Sequence, residues 1–148
     1  MKGCKFRMRE DRTGKKTVKV YEPSNVYPNA ELGTEVQVGT FSEIGNAVKI
    51  GDGVRIGAMC FIPECVIIEK GAWIGPRCTF TNDRFPPSNK DKWEWTLISE
   101  GARLGAGVTI LPGITVGRNA LVGAGSVVTK DVPDGETWAG NPARKLRR

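Results

Sequence analysis

The sequence predicts an all-β solenoid wound from a six-residue repeat, and three observations carry that prediction. Aliphatic residues recur at every sixth position, at Val20, Val26, Leu32, Val38, Ile44, Ile50, Ile56, Ile62, Ile68, Ile74 and Phe80, then at Ile98, Leu104, Ile110, Val116, Val122 and Val128. Sixteen of these 17 positions are Val, Ile or Leu in a chain with only 30 such residues, so an internal repeat explains the pattern better than composition does. A second lattice of mostly small or β-branched residues runs four positions later, through Val36, Ser42, Val48, Val54, Cys60, Val66, Ala72, Cys78, Ala102, Val108 and Ala120. Nine of the 17 aliphatic positions are followed directly by Gly.

Six is a multiple of the strand period of two and not of 3.6, so each hexad reads as a short strand plus a corner. Within a hexad the large aliphatic residue and the small residue four further on both point inward. Glycine marks corners, where the backbone adopts conformations a side chain penalises. Three hexads make one triangular coil of 18 residues, and successive coils pair as parallel strands about 4.8 Å apart. Seventeen hexads give about 5.7 coils and a prism roughly 27 Å tall. One hexad cannot bury its own apolar side; stacked neighbours make the core continuous.

The elements follow in order. Residues 1–19 hold 8 Lys or Arg against 2 acids, and Lys5–Val20, with Asp11-Arg12-Thr13-Gly14 at its middle, predicts a polar β-hairpin capping the first coil. Residues 20–133 form the solenoid. One interruption, 81–97, contains Pro86-Pro87, Ser88, Asn89 and Trp93-Glu94-Trp95. If Phe80 to Phe85 is still a hexad, about twelve residues loop outward there. Two Trp and a Phe in a polar loop need a surface to pack on, which a neighbouring subunit or a ligand base supplies. Residues 134–148 form a tail whose last five carry 4 Lys or Arg.

The net charge of +6 is therefore confined to the ends, and 20–143, with 10 bases and 14 acids, is mildly acidic. Basic ends without interleaved aromatics or a nucleic-acid-binding pattern argue against a nucleic-acid partner. No apolar run matches a signal peptide or a membrane span, so a cytoplasmic location without membrane insertion is expected. Cys60 and Cys78 lie one coil apart on the inward lattice and read as small core hydrophobes. Cys4 and Cys65 lie off it. No Cys-x-x-Cys spacing or His cluster suggests a metal.

Residues 110–133, ILPGITVGRNALVGAGSVVTKDVP, followed by Gly140-Asn-Pro-Ala-Arg144, resemble the C-terminal signature of hexapeptide-repeat acyl-CoA transferases. Gly75-Pro-Arg-Cys-Thr-Phe-Thr-Asn-Asp83 and the loop after it resemble a narrower group, the nucleotide-linked 3-amino-sugar N-acetyltransferases of surface-polysaccharide pathways. The resemblance implies a left-handed parallel β-helix and a homotrimer with active sites in clefts between prisms. Acetyl-CoA is the implied co-substrate, its pantetheine passing Gly105, Ala106, Gly123 and Ala124. Its phosphates meet Lys130, Arg144 and Arg148, together with Lys145 and Arg147; a basic tail suits a polyanion. By the same resemblance Asn82 contacts the reacting sugar amine. Asp83 beside it and Glu64, stacked one coil of 18 residues below it, are candidate secondary bases or sugar ligands, and Phe85 and Phe41 are candidate linings of the sugar or base pocket.

The chain contains no histidine. O-acetyltransferases of this type resemble one another in using His to deprotonate a hydroxyl, and without such a base a hydroxyl attacks a thioester poorly. The solenoidal carbonic anhydrases hold zinc with three His, and no substitute cluster at metal spacing occurs here. A sugar amine, titrating at about 7.7–8, is already partly neutral and needs positioning more than a base. The sequence thus favours acetyl-CoA-dependent N-acetyl transfer to a nucleotide-linked amino sugar. An acyltransferase for another small acceptor and a non-catalytic trimeric scaffold stay open as alternatives.

Overall fold

A computed structural model of the chain describes residues 5–147 and shows a left-handed parallel β-helix with almost no helix. Three parallel sheets wind about one axis. The first face stacks Val20, Val38, Ile56, Ile74, Leu104, Val122 and Trp138. The second stacks the strands of Val26, Ile44, Ile62, Phe80, Ile110 and Val128. The third stacks Leu32, Ile50, Ile68, Ile98 and Val116, with Val132 bridged beyond. All 17 lattice aliphatics are buried, as is every member of the second lattice from Ala30 to Ser126. The inward pair expected of each hexad is the one observed.

Ile68 pairs with Ile98, 30 residues on, where the coils before it step by 18, so 12 residues leave the coil after Phe80. The 80-to-98 interval is one hexad step plus this excursion. Its resemblance to three hexads is a coincidence of numbering.

One interior column is polar. At the corner between the first and second faces, glycine carbonyls turn inward where no strand accepts them. Ser24 Oγ donates to Gly39 O (3.0 Å), Ser42 Oγ to Gly57 O (3.0 Å), Cys60 Sγ to Gly75 O (3.2 Å) and Cys78 Sγ to Gly105 O (3.2 Å). The Ser42 and Cys60 amides donate in turn to the hydroxyl one coil earlier. Hydroxyls and thiols on this column therefore satisfy buried carbonyls that stacking leaves over. Contact with Cys60, then burial, push the Cys78 thiol up, so it stays a protonated donor.

Both ends of the first face are closed by antiparallel hairpins, which keep its outer strands from pairing with another chain. At the start, Phe6–Glu10 pairs with Lys16–Tyr21. The Arg9 guanidinium reaches over the open coil and donates to the carbonyls of Val26, Tyr27 and Pro28 at 3.1–3.3 Å. At the finish, Thr137–Gly140 pairs with Ala143–Lys145. In the first hairpin's turn, Asp11 accepts from the Thr13 hydroxyl and amide, the Lys15 amide and the Thr17 hydroxyl. Led by the Thr13 hydroxyl, these bonds outweigh desolvation and hold the Asp11 carboxyl down at about 2.

The corner from the third face back to the first carries a charged column, one residue per coil: Asp52, Lys70, Glu100, Arg118 and Asp134. Signs alternate along it. Arg12 meets Asp52 at 3.1 Å and Lys70 meets Glu100 at 3.5 Å. The Arg118 amide donates to Asp134 at 2.7 Å.

Two outcomes are expected. Ser42→Ala leaves the Gly57 carbonyl and the Cys60 amide without partners and lowers unfolding free energy by about 1–3 kcal/mol in denaturant titration. Ser42→Cys keeps a donor and loses less; equal losses contradict the ladder. For Asp11, the folded carboxyl lies below its unfolded value of about 3.9, so its stabilisation is complete above that value and vanishes as pH falls through about 2. Hydrogen exchange in the hairpin should therefore quicken between about pH 4 and 2 in the wild type, and Asp11→Asn should flatten that dependence.

Candidate functional site

Four of the five residues read from sequence as acceptor contacts, Asn82, Asp83, Glu64 and Phe85, gather where the 12-residue loop leaves the corner between the second and third faces. Asn82 stands two residues past the end of the strand Thr79–Phe80. Its Nδ2 donates to the Glu64 carbonyl one coil below at 2.9 Å, and its own carbonyl accepts from the Glu94 amide at 3.0 Å. Asn82 is thereby pinned at the mouth of the loop. Its carboxamide oxygen accepts nothing among the described residues.

The neighbouring carboxylates are all engaged. Asp83 accepts from the Ser88 amide and hydroxyl, each at 2.7 Å, and from the Phe85 amide at 3.2 Å. Burial acts to raise its carboxyl, but these bonds prevail and hold it below the usual range. Glu64 pairs with Lys90 at 3.0 Å, and that ammonium lies 5.2 Å from the centre of the Trp93 ring. Glu94 takes Arg84 at 2.9 Å, and Arg84 also donates to the Pro112 carbonyl, tying the loop to the next coil. Phe85 is 80% exposed and Trp95 52% exposed at the rim, and the Trp93 indole N–H is buried without a partner among the described residues.

The small residues read as cofactor contacts lie on a different corner, between the first and second faces. Gly105, Ala106, Gly123 and Ala124 occupy successive rungs there, with Ala106 and Ala124 exposed. Gly105 is demanded by stacking itself, because a Cβ would sit 2.5 Å from the Ala124 nitrogen. The Ala106 and Ala124 amides donate to no acceptor among the described residues, leaving two unpaired donors on adjacent rungs. Arg144 pairs with Ala139, which adjoins Gly123, so it stands at the end of this corner. Lys130 is exposed on the corner between the second and third faces, and Arg148 lies outside the described residues.

Phe41 also stands on the corner between the first and second faces, apart from Asn82. The residues read as site residues thus fall into two groups, Glu64, Asn82, Asp83 and Phe85 on one corner and Phe41 with the small-residue track on another. The second face lies between them. The bonds of Ser88 to Asp83 and Lys90 to Glu64 and the Arg84–Glu94 pair were not legible from the repeat, because they depend on the path of an irregular loop.

Chemically, the described residues hold an amide acceptor and unpaired amide donors but no poised nucleophile. Cys60 and Cys78 donate to carbonyls inside the core. Among the described residues no group of three or more His, Cys, Asp or Glu is placed to hold a metal. No helix is long and apolar enough to cross a membrane.

Comparison with known proteins follows the same lines. Residues 96–130 match the bacterial transferase hexapeptide family (six repeats), and 47–79 match the hexapeptide repeat of succinyl-transferase. Serine acetyltransferase 2 of Arabidopsis thaliana is 45% identical over 82 residues, 55% of this chain and 22% of that protein. A dTDP-3-amino-3,6-dideoxy-alpha-D-galactopyranose 3-N-acetyltransferase of Aneurinibacillus thermoaerophilus is 51% identical over 49 residues, 33% of this chain and 26% of that protein. Among solved structures, a histidine-to-alanine variant of GDP-perosamine N-acetyl transferase from Caulobacter crescentus, in complex with CoA and GDP-perosamine, aligns with TM-score 0.79 at 26% identity. That alignment covers 89% of this chain and 57% of the other. The acetyltransferase domain of PglB from Neisseria gonorrhoeae, in complex with acetyl coenzyme A, aligns with TM-score 0.78 at 27% identity over 88% of this chain and 58% of its own. The chain spans 22–43% of the length of the first three curated relatives. By repeat, fold and alignment together, the chain is similar to the hexapeptide-repeat transferases.

Proposed function

We propose that this chain is an acetyl-CoA-dependent N-acetyltransferase for a nucleotide-linked amino sugar, working in the cytoplasm as a homotrimer in surface-polysaccharide synthesis. The observation that carries this reading is Asn82: half-buried, fixed by Glu64 and Glu94, and offering a free carboxamide oxygen in a chain without histidine. An amine near its own pKa of about 7.7–8 is partly neutral at physiological pH. Asn82 Oδ1 accepts one amine hydrogen and turns the nitrogen lone pair toward the thioester carbonyl. The Ala106 amide polarises that carbonyl. The C–N bond forms, the C–S bond breaks, and the departing CoA thiolate takes the surplus amine proton.

A hydroxyl acceptor is served less well. It needs a base at the moment of attack, and Asp83 and Glu64 are already committed to Ser88 and Lys90. The separation of the two groups supports the trimer, since one prism keeps Asn82 and Ala106 on different corners and a second copy is needed to bring them face to face. Lys130 and Arg144 are the described cations for the CoA phosphates, with Arg148 proposed alongside them.

Asn82→Ala should lower turnover about 10–1000-fold while acetyl-CoA binding by calorimetry stays intact. The pH profile of kcat/KM should rise through a single limb set by the substrate amine and keep that limb in Asp83→Asn and Glu64→Gln. Loss of all activity in either carboxylate variant makes that residue the general base and overturns the account.

A further inference from the structure

Corner residues in this fold adopt left-handed backbone, and glycine fills many of those positions, among them Gly53, Gly71 and Gly101 on the charged corner and Gly107 and Gly125 on the corner of the acyl track. Compact or polar residues, Glu35, Ala47, Cys65 and Asn119, take others. One stretch differs. Phe41 (φ 60°), Met59 (φ 57°) and Arg77 (φ 61°) occupy the left-handed position on three successive rungs of one corner. The Met59 amide bonds to the Thr40 carbonyl, Arg77 to Ala58, and Gly107 to Pro76, so Phe41, Met59, Arg77 and Gly107 are consecutive steps of about 4.8 Å.

Bulky side chains here are sterically disfavoured and gain no burial in return. Phe41 is 67% exposed, Met59 53%, and Arg77 is exposed with no ion pair among the described residues. Phe61, 42% exposed on the adjoining face, widens the apolar surface. One rung beyond Arg77 the edge becomes bare, with Ala106, Gly107, Ala124 and Gly125. Backbone strain without packing benefit points to a ligand.

We propose that Phe41, Met59 and Arg77 form a recognition ridge for a nucleoside diphosphate, the apolar pair taking the face of the heterocycle and Arg77 the phosphates. The assignment rests on the acyl-transfer reading and adds the acceptor's handle to it. An aromatic ring and a polarisable thioether suit a planar base, and a guanidinium forks onto phosphate oxygens. The order along the edge is base, phosphate, then acyl carbonyl at Ala106, which delivers the sugar next to the thioester. Coenzyme A also carries a base and a diphosphate. Its phosphate partner Arg144 stands at the opposite end of the same edge, so the ridge is left to the acceptor.

Isothermal titration of the full chain with UDP, GDP, dTDP and acetyl-CoA tests this. The wild type should bind at least one of the three diphosphates. Arg77→Ala should weaken that binding about 10–100-fold, the loss of a charge-assisted contact. Phe41→Ala with Met59→Ala should weaken it comparably, and acetyl-CoA affinity should stay within about twofold throughout. Phe41→Gly removes side chain and strain together, so it should unfold no earlier than wild type and still lose nucleotide affinity. A wild type that binds acetyl-CoA but none of the diphosphates overturns the ridge and leaves acyl transfer standing. Variants that lose acetyl-CoA in step with nucleotide reassign the ridge to the co-substrate. A wild type that binds an Arg77-dependent diphosphate but no acetyl-CoA overturns the acyl-transfer reading and keeps the ridge.

Discussion

Every coil of this molecule rests on the coil before it, at a separation set by parallel backbone hydrogen bonds. That single spacing turns a linear chain into columns, so a residue's chemistry is decided by what stands 18 positions away. The corners feel the constraint most. A Cβ at Gly105 would stand 2.5 Å from the Ala124 nitrogen, so glycine is there to let the coils close.

The spacing also determines what the interior must supply. Parallel strands satisfy the carbonyls along the faces, but corner carbonyls that turn inward need donors from side chains. Ser24, Ser42, Cys60 and Cys78 meet that need, which is why small polar residues interrupt an otherwise aliphatic core. The candidate site uses the same stacking outward: Asn82 is held by the carbonyl of Glu64, its counterpart one coil earlier. What is fixed by stacking is rigid, and what depends on the loop is held by ion pairs and the Asp83–Ser88 bonds.

Legibility followed the same division. The period named the inward residues correctly at all 17 lattice positions, and the 18-residue offset placed Glu64 beneath Asn82. Corner membership was also readable, since Phe41, Met59 and Arg77 differ by 18, yet Phe41 was grouped with Asn82 on chemical type alone. The Ser–Cys column was read as inward without its task, because periodicity gives direction and not which carbonyls lack partners. Lys90 on Glu64 and Ser88 on Asp83 follow the route of an aperiodic loop, and no repeat reports that. The insertion length itself was hidden by a multiple of six.

The alternating column Asp52, Lys70, Glu100, Arg118 and Asp134 bears on how such a chain can change length. Repeat proteins grow and shrink by duplicating or losing whole units. Removing one coil here would set two like charges side by side on that corner, whereas removing two would restore the alternation. Exposed pairs are worth only about 0.2–1 kcal/mol each, so this is a bias and not a prohibition. It gives the solenoid a parity: along this edge, the natural unit of gain or loss is a pair of coils.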